Sequence, residues 1–352
     1  MFATPFLSFL SLALFQAAAL VGAQSCDSTG STGMPIVQNS HRIAINSSVN
    51  GVSFSFATYV APNYYADSTF KPKQGHVWIH GQGRGGDEMV NAYKNSLPKA
   101  VSAGLVAERD VVVLSIVLPH QEDEAKSLFP GVLTWCANEW MEGGDARSAQ
   151  VSSFNVLRSS FDWLAQTYPS ITTFVIGGHS AGAQLVQRWA VTNPTDPVPH
   201  RYIIANPSSV AYFTSERPNC NVTSSCSCIA PGYESQCCSD FNDWKNGLNN
   251  YPHRFQNAAM NAANKQSIID RYISRRIHYL YGGNDNEGTA NGCGPNAQGL
   301  GHYDRGQKWW SYLTRNWPRV TSTQTQDNVA GIGHDSSGIW SSTQGLKRVY
   351  GS

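Results

Sequence analysis

The most constraining feature of the chain is residues 173–184, where a short apolar strand pattern runs into Gly178-His179-Ser180-Ala181-Gly182 and leaves at once in a helical pattern. Residues 171–176 read as a buried strand. Ala183, Leu185, Val186, Trp189 and Ala190 then recur at helical spacing, with Gln184, Gln187 and Arg188 between them. A serine on so sharp a turn occupies a strained backbone conformation. Its neighbours two positions away must be nearly free of side chain if the helix is to pack back on the strand. Gly178 and Gly182 meet that demand. Strand, turn and helix in this order argue against the bland alternative, a glycine-rich turn carrying an idle serine.

The rest of the chain supplies the sheet that such a turn requires. Residues 76–80 form a strand running into Gly81-Gln82-Gly83-Arg84-Gly85-Gly86, with a helix expected from about 87 to 104. Residues 110–117 are nearly all Val, Leu and Ile, as in a parallel sheet covered on both faces. An amphipathic helix over 152–168 precedes the serine strand. Strands at 201–205 and 276–281 follow it, then a helix over about 303–316, a strand-like segment at 321–329 and a terminal helix over 339–347. Residues 52–60 alternate like an edge strand. This order predicts an α/β fold with a mostly parallel central sheet, helices on both faces and right-handed crossovers. Residues 118–150 make a long connection whose Trp135 and Trp140 are candidate walls of a substrate pocket. Residues 207–261 break the pattern and read as a disulfide-stapled, cap-like insertion.

Residues 6–21 form an apolar run ahead of Val21-Gly22-Ala23, so residues 1–23 read as a signal peptide and 24–352 as one secreted domain, with no stable membrane anchor. The run is short for a spanning helix and no basic cluster follows it. All eight cysteines (Cys26, Cys136, Cys220, Cys226, Cys228, Cys237, Cys238 and Cys293) lie beyond that cleavage point, as expected of disulfides. Five fall between 220 and 238, an odd number. At least one bridge must therefore leave the insertion for Cys26, Cys136 or Cys293, or one thiol stays free. The Cys-x-Cys and Cys-Cys spacings do not suit a zinc site. Asn46 and Asn221 open glycosylation sequons. A net charge of +1 gives no reason to expect nucleic acid. The glycines at 81–86 lack the lysine and spacing of a phosphate loop, so no nucleotide cofactor and no metal are expected.

A serine hydroxyl becomes a nucleophile when a base takes its proton, and a third group must hold that base in one tautomer. Among ten histidines, His334 follows the last strand-like segment and is the candidate base, with His302 the runner-up. Asp285, in the loop after a late strand, is the candidate acid; Glu287 and Asp304 are the alternatives. His76, His80, His179 and His278 read as structural. The order Ser, Asp, His and the Gly-His-Ser-Ala-Gly turn resemble the α/β-hydrolase superfamily, in its branch of secreted esterases and lipases. The resemblance spans roughly residue 52 to the C-terminus. It implies Ser180 as nucleophile, Asp285 as acid, His334 as base, and an oxyanion hole from the N–H groups of Ala181 and Gln82. It further implies a small-molecule or polymeric ester as substrate. A peptidase or amidase using the same triad, and a non-catalytic binding protein on the same fold, are the alternatives. The loop His80-Gly81-Gln82-Gly83 departs from the His-Gly-Gly-Gly of many esterases, and the cysteine-rich insertion carries over no substrate class.

Overall fold

The structure, a computed structural model, describes residues 33–123, 127–194, 200–288 and 292–351. The proposed signal peptide and Cys26 lie outside them. The strands are β1 (His41–Val49), β2 (Val52–Ala61), β3 (Gln74–Ile79), β4 (Val111–Val117), β5 (Thr173–His179), β6 (His200–Ala205), β7 (Asn221–Thr223), β8 (Cys226–Ile229), β9 (Arg276–Gly282) and β10 (Gln324–Val329). The helices are α1 (Gly86–Ser102), α2 (Ser153–Thr167), α3 (Ala181–Thr192), α4 (Lys265–Ser274), α5 (Cys293–Gln298), α6 (Gly301–Asn316), α7 (Ser336–Ser341) and α8 (Thr343–Tyr350).

Eight strands form one sheet in the order β1-β2-β4-β3-β5-β6-β9-β10. From β4 to β10 the pairing is parallel, and β1 and β2 add an antiparallel edge. β4 shows why the interior strands are so apolar: all its residues are buried, and successive side chains enter opposite layers. Val112, Leu114 and Ile116 belong to the core layer that also holds Phe154 and Leu157 of α2, Leu185 and Trp189 of α3, and Trp309 of α6. Val111, Val113 and Val117 belong to the opposite layer, with Met89 and Tyr93 of α1 and Trp340 and Val349 of α7 and α8. Burial on both faces explains the unbroken apolar run.

The strand at 52–60 is not the edge. β1 lies outside it, in register from Val49 opposite Val52 to His41 opposite Val60. Only Ile45 of β1 is buried, which is why hydrophobic periodicity passes it over. The turn itself carried the signal: Asn50 and Gly51 have φ of 50° and 80°, the left-handed pair that a two-residue hairpin demands.

The parallel registers align the strand ends that matter. Ile79 pairs with Gly178, Gly178 with Ile204, and Val329 with Gly282. The loops after β3, β5, β9 and β10 therefore leave one edge of the sheet together, the carboxyl edge at which open α/β sheets hold ligands.

Segment 207–261 contains the small β7–β8 hairpin and one 3-10 turn of helix at Asn257–Ala259, and no regular element longer than these. Cys220–Cys228 and Cys226–Cys237 staple it internally, and Cys238–Cys293 ties it to α5. Cys136 is disulfide-bonded to a partner outside the described residues. The exit bridge thus runs to Cys293. Asn46 and Asn221 are both exposed on strands.

Candidate active site

β5 ends at His179, and Ser180 turns the chain with φ 57° and ψ −119° before α3 begins. A non-glycine residue with positive φ is strained, and such strain persists only where the surroundings impose it. The flanking glycines show how tightly they do. A Cβ on Gly178 would lie 2.3 Å from the backbone carbon of Gly182, and one on Gly182 would lie 2.4 Å from the Ile79 carbonyl oxygen. The Ser180 N–H donates to the Ala205 carbonyl (2.9 Å), so the turn is pinned to β6 as well. Ala181 opens α3, and its N–H has no carbonyl one turn back to bond with.

The β3 loop carries Gln82 to the same place. Two features hold it there, the first of them missed by sequence reasoning. Arg84 donates from Nε to Asp123 Oδ2 (2.6 Å) and from a terminal nitrogen to Oδ1 (3.1 Å), with both side chains almost wholly buried. Its other terminal nitrogen donates to the Gln82 carbonyl (3.2 Å). His80 anchors the loop's base: Nδ1–H donates to the Gly81 carbonyl (2.8 Å), and Nε2 accepts from the Leu118 N–H (3.0 Å). Burial pushes its pKa down to about 4, so it stays a neutral strut.

The loops after β9 and β10 bring in the acid and the histidines. Asp285 is fully buried and accepts from two imidazoles at once: His334 Nδ1 donates to Oδ2 (2.7 Å) and His302 Nδ1 to Oδ1 (2.9 Å). Against an anionic carboxylate both nitrogens must carry the proton. Burial alone would raise the Asp285 pKa. The hydrogen bonds from His302 and His334 outweigh it and hold the group below the ordinary carboxylate range. The two rings stack with centroids 4.3 Å apart and planes 20° from parallel. His334 also meets His179, the residue before Ser180, with ring centroids 4.5 Å apart. His179 is itself pushed down to about 3, chiefly by burial and then by His334. Asn206 ties the parts together, accepting from the Gly282 N–H (2.9 Å) and donating to the Gly333 carbonyl (3.4 Å), next to His334.

These groups surround a cavity of about 770 Å³ lined by Gln82, Ser180, Ala181, His302 and His334. Ser208, Ser209 and Lys245 of the insertion and Asn138 and Met141 of the 118–150 connection complete its walls. Trp135 and Trp140 do not. Both are wholly buried, Trp135 donating to the Gly144 carbonyl (2.9 Å) and Trp140 packed edge-on to His80, so they are core and the pocket-wall expectation is corrected. Of the alternative acids, Glu287 lines the cavity, whereas Asp304 accepts from Lys308 (2.7 Å) and the Leu300 N–H (2.7 Å). The insertion wall is braced by buried Arg188 of α3, which donates to the carbonyls of Lys245 (3.2 Å) and Met141 (3.1 Å) and to Ser209 Oγ (2.9 Å).

Asp285, His302 and His334 are compact enough to hold a metal ion, as are Cys238, Asp240 and Cys293. In the first group the Nδ1 protons already occupy the carboxylate, and in the second the two sulfurs are bonded to each other. Neither donor set suits a cation.

No family model and no curated protein matches the chain. Solved structures do. A poly(3-hydroxybutyrate) depolymerase from Bordetella parapertussis is 17% identical with a TM-score of 0.54, over 84% of this chain and 86% of that one. A poly(aspartic acid) hydrolase from Sphingomonas sp. KT-1 is 19% identical with a TM-score of 0.56, over 90% and 100% respectively. With the sheet order and the strand-serine-helix turn, these likenesses establish the architecture. The chain has the α/β-hydrolase fold, with a disulfide-rich insertion beside the cavity.

Proposed function

We propose that the protein is a secreted serine hydrolase of carboxylic esters, working through an acyl-enzyme on Ser180. The observation that carries this is the meeting, in one cavity, of a strained serine at a strand end and a histidine held by a buried aspartate. In the proposed cycle His334 Nε2 accepts the Ser180 proton as Oγ attacks the ester carbonyl. Among the described residues neither Ser180 Oγ nor His334 Nε2 is hydrogen-bonded, to each other or to any other group, so both are free for that exchange. Asp285 keeps the Nδ1 tautomer and stabilises the imidazolium. The Ala181 and Gln82 N–H groups receive the developing oxyanion. His334 then protonates the leaving alcohol, and water repeats the sequence on the acyl-enzyme. The contact with His179, adjacent to Ser180, favours His334 over His302 as base.

Secretion is supported by the three bridges and the further bonded Cys136. No helix among the described residues is long and apolar enough to cross a membrane. The test is to treat the secreted protein with an alkyl fluorophosphonate, map the labelled residue, and assay short-chain acyl esters beside peptides. Label on Ser180 with ester turnover supports the proposal; label elsewhere, or faster peptide cleavage, refutes it.

A further inference from the structure

A triad needs one histidine on its aspartate, and this aspartate has two. His302 is 5% exposed, donates Nδ1–H to Asp285, and lines the cavity. Its Nε2 has no partner among the described residues, yet it is not sealed from solvent, unlike the buried unpaired nitrogens of His76, His120 and His253. In an imidazole the second nitrogen lies on the ring edge away from the first. With both Nδ1 atoms on one carboxylate and the rings near parallel, the two Nε2 edges turn away from Asp285 side by side.

We infer that His302 reads the alcohol half of the substrate, its Nε2 accepting a hydrogen bond from a hydroxyl adjacent to the ester oxygen, so that the preferred substrates are monoesters of vicinal diols. This rests on the ester-hydrolase reading with His334 as base. In that cycle His334 takes a proton while stacked on His302, and a second imidazolium at 4.3 Å would oppose it. With one ring proton committed to Asp285, the neutral form of His302 presents Nε2 as an acceptor. It exchanges no proton. The acyl side is defined by the tight Ser180 turn, the nucleophile elbow, and the oxyanion donors, whereas His334 meets the leaving oxygen. A group stacked on His334 thus faces the alcohol. In a vicinal diol the second hydroxyl sits within hydrogen-bonding reach of the ester oxygen, as Nε2 of His302 sits beside that of His334. Ser208 and Glu287 add polar lining to the cavity wall, which suits a hydroxylated ligand better than an alkyl chain.

The test compares 2-hydroxyethyl acetate with 2-methoxyethyl acetate, which keeps the oxygen and lacks the donor, and with propyl acetate. Expected is a kcat/KM for the hydroxyethyl ester about tenfold above both others, the span of one hydrogen bond in a built site. His302→Phe keeps a flat ring against His334 and removes the acceptor. All three rates fall together as Asp285 loses a partner, and their ratio collapses towards one. Glycerol monoacetate and a 2-O-acetyl glycopyranoside carry the same motif, flexible and ring-fixed; either outpacing propyl acetate supports the diol reading and ranks the two sources. Equal wild-type rates, or a preference that survives His302→Phe, overturn the inference, and the wild-type comparison stands even if the variant does not fold. Label on Ser180 without cleavage of the hydroxyethyl ester sinks the inference alone. No label and no cleavage sinks the hydrolase reading beneath it.

Discussion

Removing Asp123 separates what holds the β3 loop from what the loop does. Asp123→Ala strips the acceptors from Arg84 Nε and a terminal nitrogen and from the His120 N–H (2.9 Å). The pair is 1% and 3% exposed at its side chains, so the variant takes the Asp123 charge away from a buried guanidinium. Breaking a buried pair in this way costs about 3–5 kcal/mol. At roughly 1.4 °C per kcal/mol for a chain of 352 residues, the midpoint of thermal unfolding should drop by about 4–7 °C. Arg84 also holds the Gln82 carbonyl, so the loop loses its brace. If the Gln82 N–H is an oxyanion donor, kcat should fall by up to about 10²-fold, the lower end of what losing such a donor costs. Circular-dichroism melting and kcat on a short-chain ester read the two effects separately. The double variant Arg84→Met with Asp123→Leu replaces the pair by apolar side chains, and should recover most of the stability but not the rate. An Asp123→Ala protein with stability within about 1 kcal/mol of the parent and unchanged kcat would refute both halves of the reasoning.

Further outcomes follow from the site. Ser180→Ala should lower turnover on the order of 10³- to 10⁶-fold with folding preserved, checked by steady-state kinetics and melting. Asp285→Asn offers one acceptor where two imidazole N–H groups now donate; it should reduce kcat by about 10⁴-fold, and near-normal turnover would move the acid to Glu287. His334→Ala should abolish ester turnover while His302→Ala leaves measurable activity; the reverse ranking would exchange their roles. Gly182→Ala should prevent the elbow from closing, because the added Cβ meets the Ile79 carbonyl at 2.4 Å, and soluble yield reports it. His80, His179 and His278 are pushed down to about 4, 3 and 3 by burial, from an ordinary 6.5. The unfolded chain therefore binds more protons than the folded one below pH 6.5, so stability should decline progressively from there towards pH 4. A melting temperature flat over that interval would contradict it.

Local chemistry determined much of this protein before any tertiary contact is considered. The elbow was legible because its demands are local: a strained serine, two glycines, a strand before and a helix after. The interior strands were legible because burial on both faces leaves an unbroken apolar run, as in β4. β1 escaped because a half-exposed edge strand buries only Ile45, and only its Asn50-Gly51 turn betrayed it. Ser180, Asp285 and His334 could be picked by their order along the chain, yet order cannot say that Asp285 accepts from a second histidine. Nor could Arg84 and Asp123, 39 positions apart, be matched, since charge pairing in a buried loop has no period. The tryptophans of the 118–150 connection were misread for the same reason: an aromatic ring in a long loop fits core and pocket equally. Packing against the His80 ring made Trp140 core, and Asn138 and Met141 stand at the wall. The sequence determines which groups the chain can offer at the end of each strand. Only the parallel register of the sheet, which brings the ends of β3, β5, β9 and β10 to one edge, decides which of them share a cavity.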